Sequence, residues 1–360
     1  MGGRLLRRRI ILPLKSVNEI NRRLNLIEFL NKEDALKFEV LGLLKSISDL
    51  DRLMGKLAAE KISPKELGYL RQSLVNIHQI KQLLSLYHDT LAWLDPLNSL
   101  EDLIKFLQNN LNDELPVNIN KGKVIKEGVS EELDRLRNLQ SKGKGFLDEM
   151  CRREVDRTGI TSLKIDFNNV FGYYIEVRNT HRDKVPDEWI RKQTLVNAER
   201  YITEELKEYE DQILGAEEKI TVLEHQLYRK ACEETMLYMD HIQENSRIIA
   251  ELDCATGLSE LAVNEDYTRP ELTEGFELNL KDARHPIIEN ALPLGEKYIP
   301  NDLYLDRETQ QIIMVTGPNM AGKSAILRQT AIICYIRNST CLYKLKNRTS
   351  LIYLETENEP

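Results

Sequence analysis

Along residues 1–115, apolar positions return every third or fourth residue, as at Leu24, Ile27 and Leu30 and again at Leu67, Leu70 and Leu74. That period puts the apolar side chains of each segment on one helical face, so the region is expected to fold as a helical bundle. "SPKEL" supplies a helix start, with Ser63 as cap, Pro64 in the first turn and Glu66 three residues after the cap. "VNINKGKVIKEGVSEEL" breaks the pattern with Gly, Asn and Lys, which predicts a connection or small hairpin before a helix from about Ser130 to Asp156.

The period then changes from three-four to two. Leu163, Ile165 and Phe167 alternate with polar residues, as do Phe171, Tyr173, Ile175 and Val177 after Asn168-Asn169, so a strand-turn-strand insert is expected between helices. Beyond it Ile202, Leu206, Tyr209, Ile213, Ala216, Ile220, Leu223 and Leu227 alternate four-three, the signature of a coiled-coil seam. A helix running from about Arg200 to about Asn245 would reach on the order of 60 Å. With a β insert at its tip, such a helix is expected to act as a lever rather than a plain spacer.

After "ELAVNEDYTRP" short strands and turns take over, so a new domain is expected to begin near Asp266. Within it Gly317, Pro318, Asn319, Met320, Ala321, Gly322, Lys323 and Ser324 satisfy GxxxxGK[ST], between an apolar segment, Ile312 to Val315, that reads as a strand and a segment rich in Ile, Leu and Ala that reads as a helix. Glycines permit the tight turn, backbone N–H groups at the helix start face a phosphate, Lys323 reaches β/γ oxygens, and Ser324 offers its hydroxyl to Mg²⁺. The expected ligand is therefore a nucleoside triphosphate with Mg²⁺.

Charge changes the picture only locally. The chain as a whole carries −8, which argues against a surface that is basic throughout, but residues Lys121 to Arg200 hold 17 Lys/Arg against 14 Asp/Glu. The excess of positive charge thus coincides with the β insert, where an ordinary solvated surface and a DNA-facing one are both open on this count. Cys151, Cys232, Cys254, Cys334 and Cys341 form no CxxC pair and the six histidines are scattered, so neither a metal site nor a disulfide framework is indicated, and a reducing cytosol is expected. "RRRIILPLK" has too short an apolar run to act as a signal segment.

Five blocks together resemble the MutS family of DNA mismatch repair ATPases: "GGRLLRRRIILPLKSVNEINRRL", "FNNVFGYYIEV", "RKQTLVNAERYITEELKEYE", "RHPIIE" and "TGPNMAGKS…LRQTA". They run in the family's order from about residue 2 to Cys334. The resemblance implies a mainly α fold with a β clamp insert, followed by the first part of an α/β P-loop ATPase domain. It implies a helical core and lever over residues 1–128, a clamp over 129–200, a returning lever helix and core over 201–265, and the start of the ATPase domain over 266–360. By the same resemblance, Tyr298 stands where the family places an aromatic against adenine, an ordinary core aromatic being the other reading. Arg191, Lys192 and Asn197, in "RKQTLVN", match a clamp segment that contacts the DNA backbone; a solvated polar surface is the alternative for each. Mismatched double-stranded DNA, a homodimer, a MutL-type repair partner and a cytoplasmic, nucleoid-associated location follow as expectations of the family.

The departures from the family shape the remaining expectations. No Phe-x-Glu wedge domain or connector domain is found ahead of the core. After "RQTAIIC" the segment 335–360 diverges, and "LIYLE", ending at Glu355, lies too near the P-loop for the family's acidic strand; 36 residues follow Ser324. The chain is therefore expected to be a piece of a longer gene product, interrupted at both sides and inactive by itself, and no catalytic residue is assigned. A recombination-type MutS homologue, or a DNA-binding scaffold with a vestigial P-loop, remains the alternative. A P-loop kinase with a coiled-coil arm would need an acceptor lid downstream of the loop.

Overall fold

A computed structural model describes residues 1–87, 96–168, 172–272, 275–293, 295–318, 321–340 and 350–351. The chain divides into two compact units, one formed by Met1–Gly55, Gln72–Glu101 and Tyr238–Pro360, the other by Lys56–Arg71 and Asp102–Leu237.

The bundle helices are α1 (Gly2–Ile11), α2 (Val17–Lys32), α3 (Asp34–Lys45), α4 (Leu50–Ala58), α5 (Pro64–Ser85) and α6 (Glu101–Asn110). Leu24, Ile27, Leu30, Leu67, Leu70 and Leu74 are all buried, as the spacing predicts. The start of α5 is a full capping box: Glu66 N–H donates to Ser63 Oγ at 3.4 Å, and Ser63 N–H donates to the Glu66 carboxylate at 3.1 Å. In the first unit, α1, α2 and α3 pack on α9 (Met239–Asn264). There Arg9, 5 % exposed, meets Glu251 at 3.4 Å, and the Asn245 side-chain amide accepts from the Asn98 N–H at 2.7 Å and donates to the Asn98 carbonyl at 2.9 Å.

In the second unit α7 (Glu131–Thr158) lies along α8 (Glu204–Met236), with Ser130 and Thr203 capping their N-termini. Between them comes a four-stranded sheet of order β1-β2-β4-β3: β1 (Lys164–Asn168), β2 (Gly172–Arg178), β3 (Ile190–Thr194) and β4 (Ala198–Ile202). The expected hairpin is β1–β2, with Ile165 opposite Ile175 and Phe167 opposite Tyr173; its turn falls outside the described residues. One face of the sheet closes on the adjoining ends of α7 and α8, burying Met150, Ile175, Val177, Trp189, Tyr201 and Leu206 together. Tyr209 stacks on Phe146 at 4.9 Å and meets Tyr173 edge-on at 5.8 Å, tying the two helices to the sheet.

Several expectations are corrected. The hairpin is half of a larger sheet, because the polar segment 190–202 forms two further strands, and α8 begins at Glu204 rather than near Arg200. The long helix does not continue to Asn245: it stops at Met236, and α9 starts after a turn at Leu237 and Tyr238. The 33 residues of α8 span about 50 Å. Its buried face also leaves the heptad seam, since beyond Ala216 the buried positions are Glu224, Tyr228, Ala231 and Thr235, with Leu223 and Leu227 only half-buried.

Glu224 is 1 % exposed and survives there because its charge is met. Its Oε1 accepts from Arg137 of α7 and, at 3.0 Å, from the backbone N–H of Lys123. Lys123 is brought there by a 3-10 turn, Ile119–Lys121, and by pairing of Asn112 with Val124.

The remaining elements of the first unit are β5 (Glu271–Leu272), β6 (Leu278–Ala283), α10 (Pro286–Asn290), β7 (Asn301–Leu305), α11 (Lys323–Thr340) and β8 (Ser350–Leu351). They form a second sheet, β5-β8-β6-β7, on which Ile333 of α11 packs against Leu280 and Ala283. The expected strand Ile312–Val315 is not formed: the segment has no ladder partner among the described residues, and Ile312 and Met314 are each 85 % exposed. An apolar run becomes a strand only where a neighbour takes its N–H and C=O groups.

Candidate functional site

Two glycines bracket the described part of the loop ahead of α11. Gly317 has φ +153° and Gly322 φ +85°, values that L side chains rarely adopt, and nothing lies within 4 Å of where a Cβ at Gly322 would stand. Glycine is thus required there for conformation, not for room. Lys323 opens α11, and its ammonium donates to the Gly317 carbonyl at 2.5 Å across the loop. Ala325 and Ile326 N–H both turn to the Gly322 carbonyl, starting the helix directly behind the loop. Ser324 is exposed in the first turn of the helix, beside Lys323. Pro318 and Ala321 close the loop through the Ala321 N–H to Pro318 carbonyl contact at 3.3 Å, while Asn319 and Met320 lie outside the described residues.

The residues present fit a nucleoside triphosphate with Mg²⁺. A helix N-terminus offers free N–H groups, one cation rests on a carbonyl that a phosphate oxygen can replace, and a hydroxyl sits at the magnesium position of the pattern. Among the described residues no group of three His, Cys, Asp or Glu side chains could hold a metal by itself, and Glu355 is outside the described set.

Tyr298 is half-buried, and its hydroxyl donates to Gln329 Oε1 at 2.7 Å. Gln329 lies on α11, is 2 % exposed, and donates from Nε2 to the Ala283 carbonyl at 3.1 Å. Burial and the neighbouring Glu289 push the Tyr298 phenol above its ordinary value. Tyr298 is therefore fastened to the helix that carries Lys323. Gln329 has no signal in a single sequence, since a polar residue on an apolar helix reads as solvent-facing.

In the second unit the structure places Arg191, Lys192 and Asn197 on the β3–β4 hairpin, the first two near the start of β3 and the third in its turn. Arg191 and Lys192 are on edge strand β3 and Asn197 is in the turn to β4; all three are exposed. The ladder between β3 and β4 shifts register between Arg191 and Gln193, so Lys192 is the extra residue of a bulge with no cross-strand partner. Arg191 is not free, because its Nη1 lies 3.3 Å from the Glu199 carboxylate. On the opposite face Arg200 covers the Tyr174 ring at 4.1 Å and meets Glu176 at 3.2 Å, so its charge is spent inside the sheet.

Cys151, Cys232, Cys254 and Cys334 are unbridged, and burial pushes the Cys232 thiol up to about 11; Cys341 is outside the described residues. No described helix is long and apolar enough to cross a membrane.

Comparison with known proteins agrees with the blocks read from the sequence. The profile of MutS domain III matches residues 1–259. The DNA mismatch repair protein MutS of Flavobacterium johnsoniae is 53% identical over 335 residues, covering 92% of this chain and 39% of the relative. Those of Christiangramia forsetii and Bacteroides thetaiotaomicron are 52% and 49% identical over the same length. The chain thus spans about two fifths of the length of these curated relatives. It belongs to the MutS family of DNA mismatch repair proteins.

Proposed function

We propose that residues 1–360 provide a duplex DNA clamp and an ATP-binding P-loop of a MutS-type mismatch repair protein. In this reading residues 1–128 and 201–265 are core and lever, 129–200 the clamp, and 266–360 the beginning of the ATPase domain with 335–360 as a divergent tail. Arg191, Lys192 and Asn197 hold backbone phosphates, while the loop from Gly317 to Ser324 holds ATP, with Ser324 on Mg²⁺ and Tyr298 against the base. The family's homodimer, MutL-type partner and mismatched substrate, and a cytoplasmic, nucleoid-associated location, belong to the same reading.

The observation that carries it is the loop itself. Two glycines in conformations that glycine favours, with Lys323 folded onto the loop carbonyl at the head of an 18-residue helix, support the reading of a cradle for a phosphate chain. Hydrolysis needs more, namely carboxylates that hold Mg²⁺ and orient water together with charge stabilisation on the transferred group. The reading assigns no such carboxylate, so these residues are expected to bind ATP weakly and not to turn it over.

The test is titration of Mg²⁺-ATP into the purified chain and into Lys323→Ala, with phosphate release followed in parallel. Weak binding lost in the variant, with no turnover above background, is expected. Binding that is equal in the two proteins would remove the loop from the function, and turnover that depends on Lys323 would show that catalytic groups lie elsewhere in the chain.

A further inference from the structure

Glu199 is an unusual residue for a strand beside a proposed phosphate contact. It lies on β4, is 3 % exposed and carries a carboxylate beside the very strand that matches a DNA-contact segment. Burying a carboxylate is costly unless its charge is met and its lone pairs are used. Here Oε1 lies 3.3 Å from Arg191 Nη1 and 3.5 Å from Arg182 Nε, and Oε2 accepts from the Tyr201 hydroxyl. The Tyr201 hydroxyl, then Arg182 and Arg191, hold the Glu199 carboxyl below the usual carboxylate range.

The two arginines come from separate pieces of chain. Arg182 lies in the 3-10 segment Asn179–Lys184, and Arg191 stands on the bulged edge strand. One carboxylate oxygen gathers both, so the guanidinium groups are neighbours. Two cations sharing one anion leave a net positive charge. Each guanidinium has five N–H donors, of which Glu199 occupies few. The side chains are 60% and 50% exposed, so the remaining donors face solvent. Beside them Lys192 projects from the bulge, exposed and without a partner among the described residues.

We propose that Glu199 is a positioning residue that holds Arg182 and Arg191 as a preformed guanidinium pair for the phosphates of duplex DNA, and that Arg182 joins the contact set. The inference rests on the clamp reading above and adds a residue and a device to it. A long side chain already fixed in one geometry loses less freedom when a phosphate arrives, and guanidinium donors suit phosphate oxygens two at a time. Arg182 had no signal in the sequence, because it lies outside the segment that resembles the family's contact surface.

The sign of one substitution separates positioning from plain electrostatics. Glu199→Gln removes a negative charge next to the DNA. If Glu199 only balanced charge within the sheet, the variant would bind duplex more tightly. If it orients the arginines, the variant binds more weakly despite its added positive charge.

The experiment measures anisotropy of a fluorescein-labelled duplex with the 360-residue chain over a series of KCl concentrations, with circular dichroism and melting to check each fold. Arg182→Ala and Arg191→Ala are each expected to weaken binding and to flatten the slope of log K against log salt by about one counterion. Glu199→Gln is expected to weaken binding several-fold at fixed salt, and Tyr201→Phe, which keeps both cations on the carboxylate, much less. A folded Glu199→Gln that binds as tightly as the parent or more tightly overturns the positioning role. Should that variant unfold, Arg182→Ala decides, and an unchanged slope there overturns the proposal. Absence of any salt-dependent duplex binding by the parent chain is a different result, which removes the clamp reading and this inference with it.

Discussion

Removing Arg137 should cost the second unit more than removing its partner. Glu224 is 1 % exposed, whereas the Arg137 side chain is one-fifth exposed, donates to the Ile125 carbonyl at 3.0 Å and lies 3.8 Å from Asp134. Arg137→Met leaves a buried carboxylate with only the Lys123 N–H, and an uncompensated buried charge costs roughly 3–5 kcal/mol. Glu224→Gln leaves an arginine that still has a carbonyl, a nearby carboxylate and water, and keeps an acceptor for Lys123, so its cost should be nearer ~1–2 kcal/mol. Replacing both by Met and Leu removes the charge problem altogether and should recover most of the loss. The assay is urea unfolding followed by Trp189 fluorescence in a Trp93→Phe background, since these are the two tryptophans and Trp189 is in the buried cluster of this unit. Equal losses from the two single substitutions, or a double variant as unstable as Arg137→Met, would refute the argument that α7 and α8 are locked by a desolvated carboxylate.

Other consequences follow from single contacts. Ser63→Ala removes one side of the capping box at the start of α5 and should cost about 1 kcal/mol in the same urea assay, with Ser63→Asp close to neutral. His285 caps α10 by accepting from Ile288 N–H, and burial, with Arg328 nearby, pushes its pKa below the ordinary value. Because the neutral form is the one the fold keeps, its stabilisation is complete above about pH 6.5 and is lost as pH falls below that value. His285→Asn, which keeps a cap without titrating, should flatten the pH dependence of melting between pH 7 and 5. Gln329→Leu should lower stability by about 1–3 kcal/mol by stranding the Ala283 carbonyl and the Tyr298 hydroxyl, and Tyr298→Phe combined with it should add little, as a double-mutant cycle by thermal melting would show.

What could be read in advance was local. Ser63 with Glu66, and Ser130 ahead of an apolar stripe, announce helix starts through contacts three residues long, and the alternation from Leu163 to Val177 announces a hairpin whose register is then found. The strands β3 and β4 escaped because "IRKQT" is an exposed, charged edge and because Glu199, on the buried face of "AERYI", reads as polar until Arg182, Arg191 and Tyr201 are seen around it. The same holds for Glu224, whose burial depends on Arg137, 87 positions away. The break at Leu237 and Tyr238 carries no Gly or Pro, so a helical period runs through it unmarked. At the P-loop the pattern identifies the loop and its helix, whereas the strand before it needs pairing that periodicity does not report.

The central proposal is that these residues grip duplex DNA by its phosphates rather than by its bases. Anisotropy titrations of matched and single-mismatch duplexes, each over a range of KCl, test it most directly. The expected result is weak binding, equal for the two duplexes, with log K falling linearly in log salt and a slope that drops by at most about two counterions in Arg191→Ala/Lys192→Ala. A preference for the mismatched duplex, or an affinity indifferent to salt and to those two residues, would contradict it.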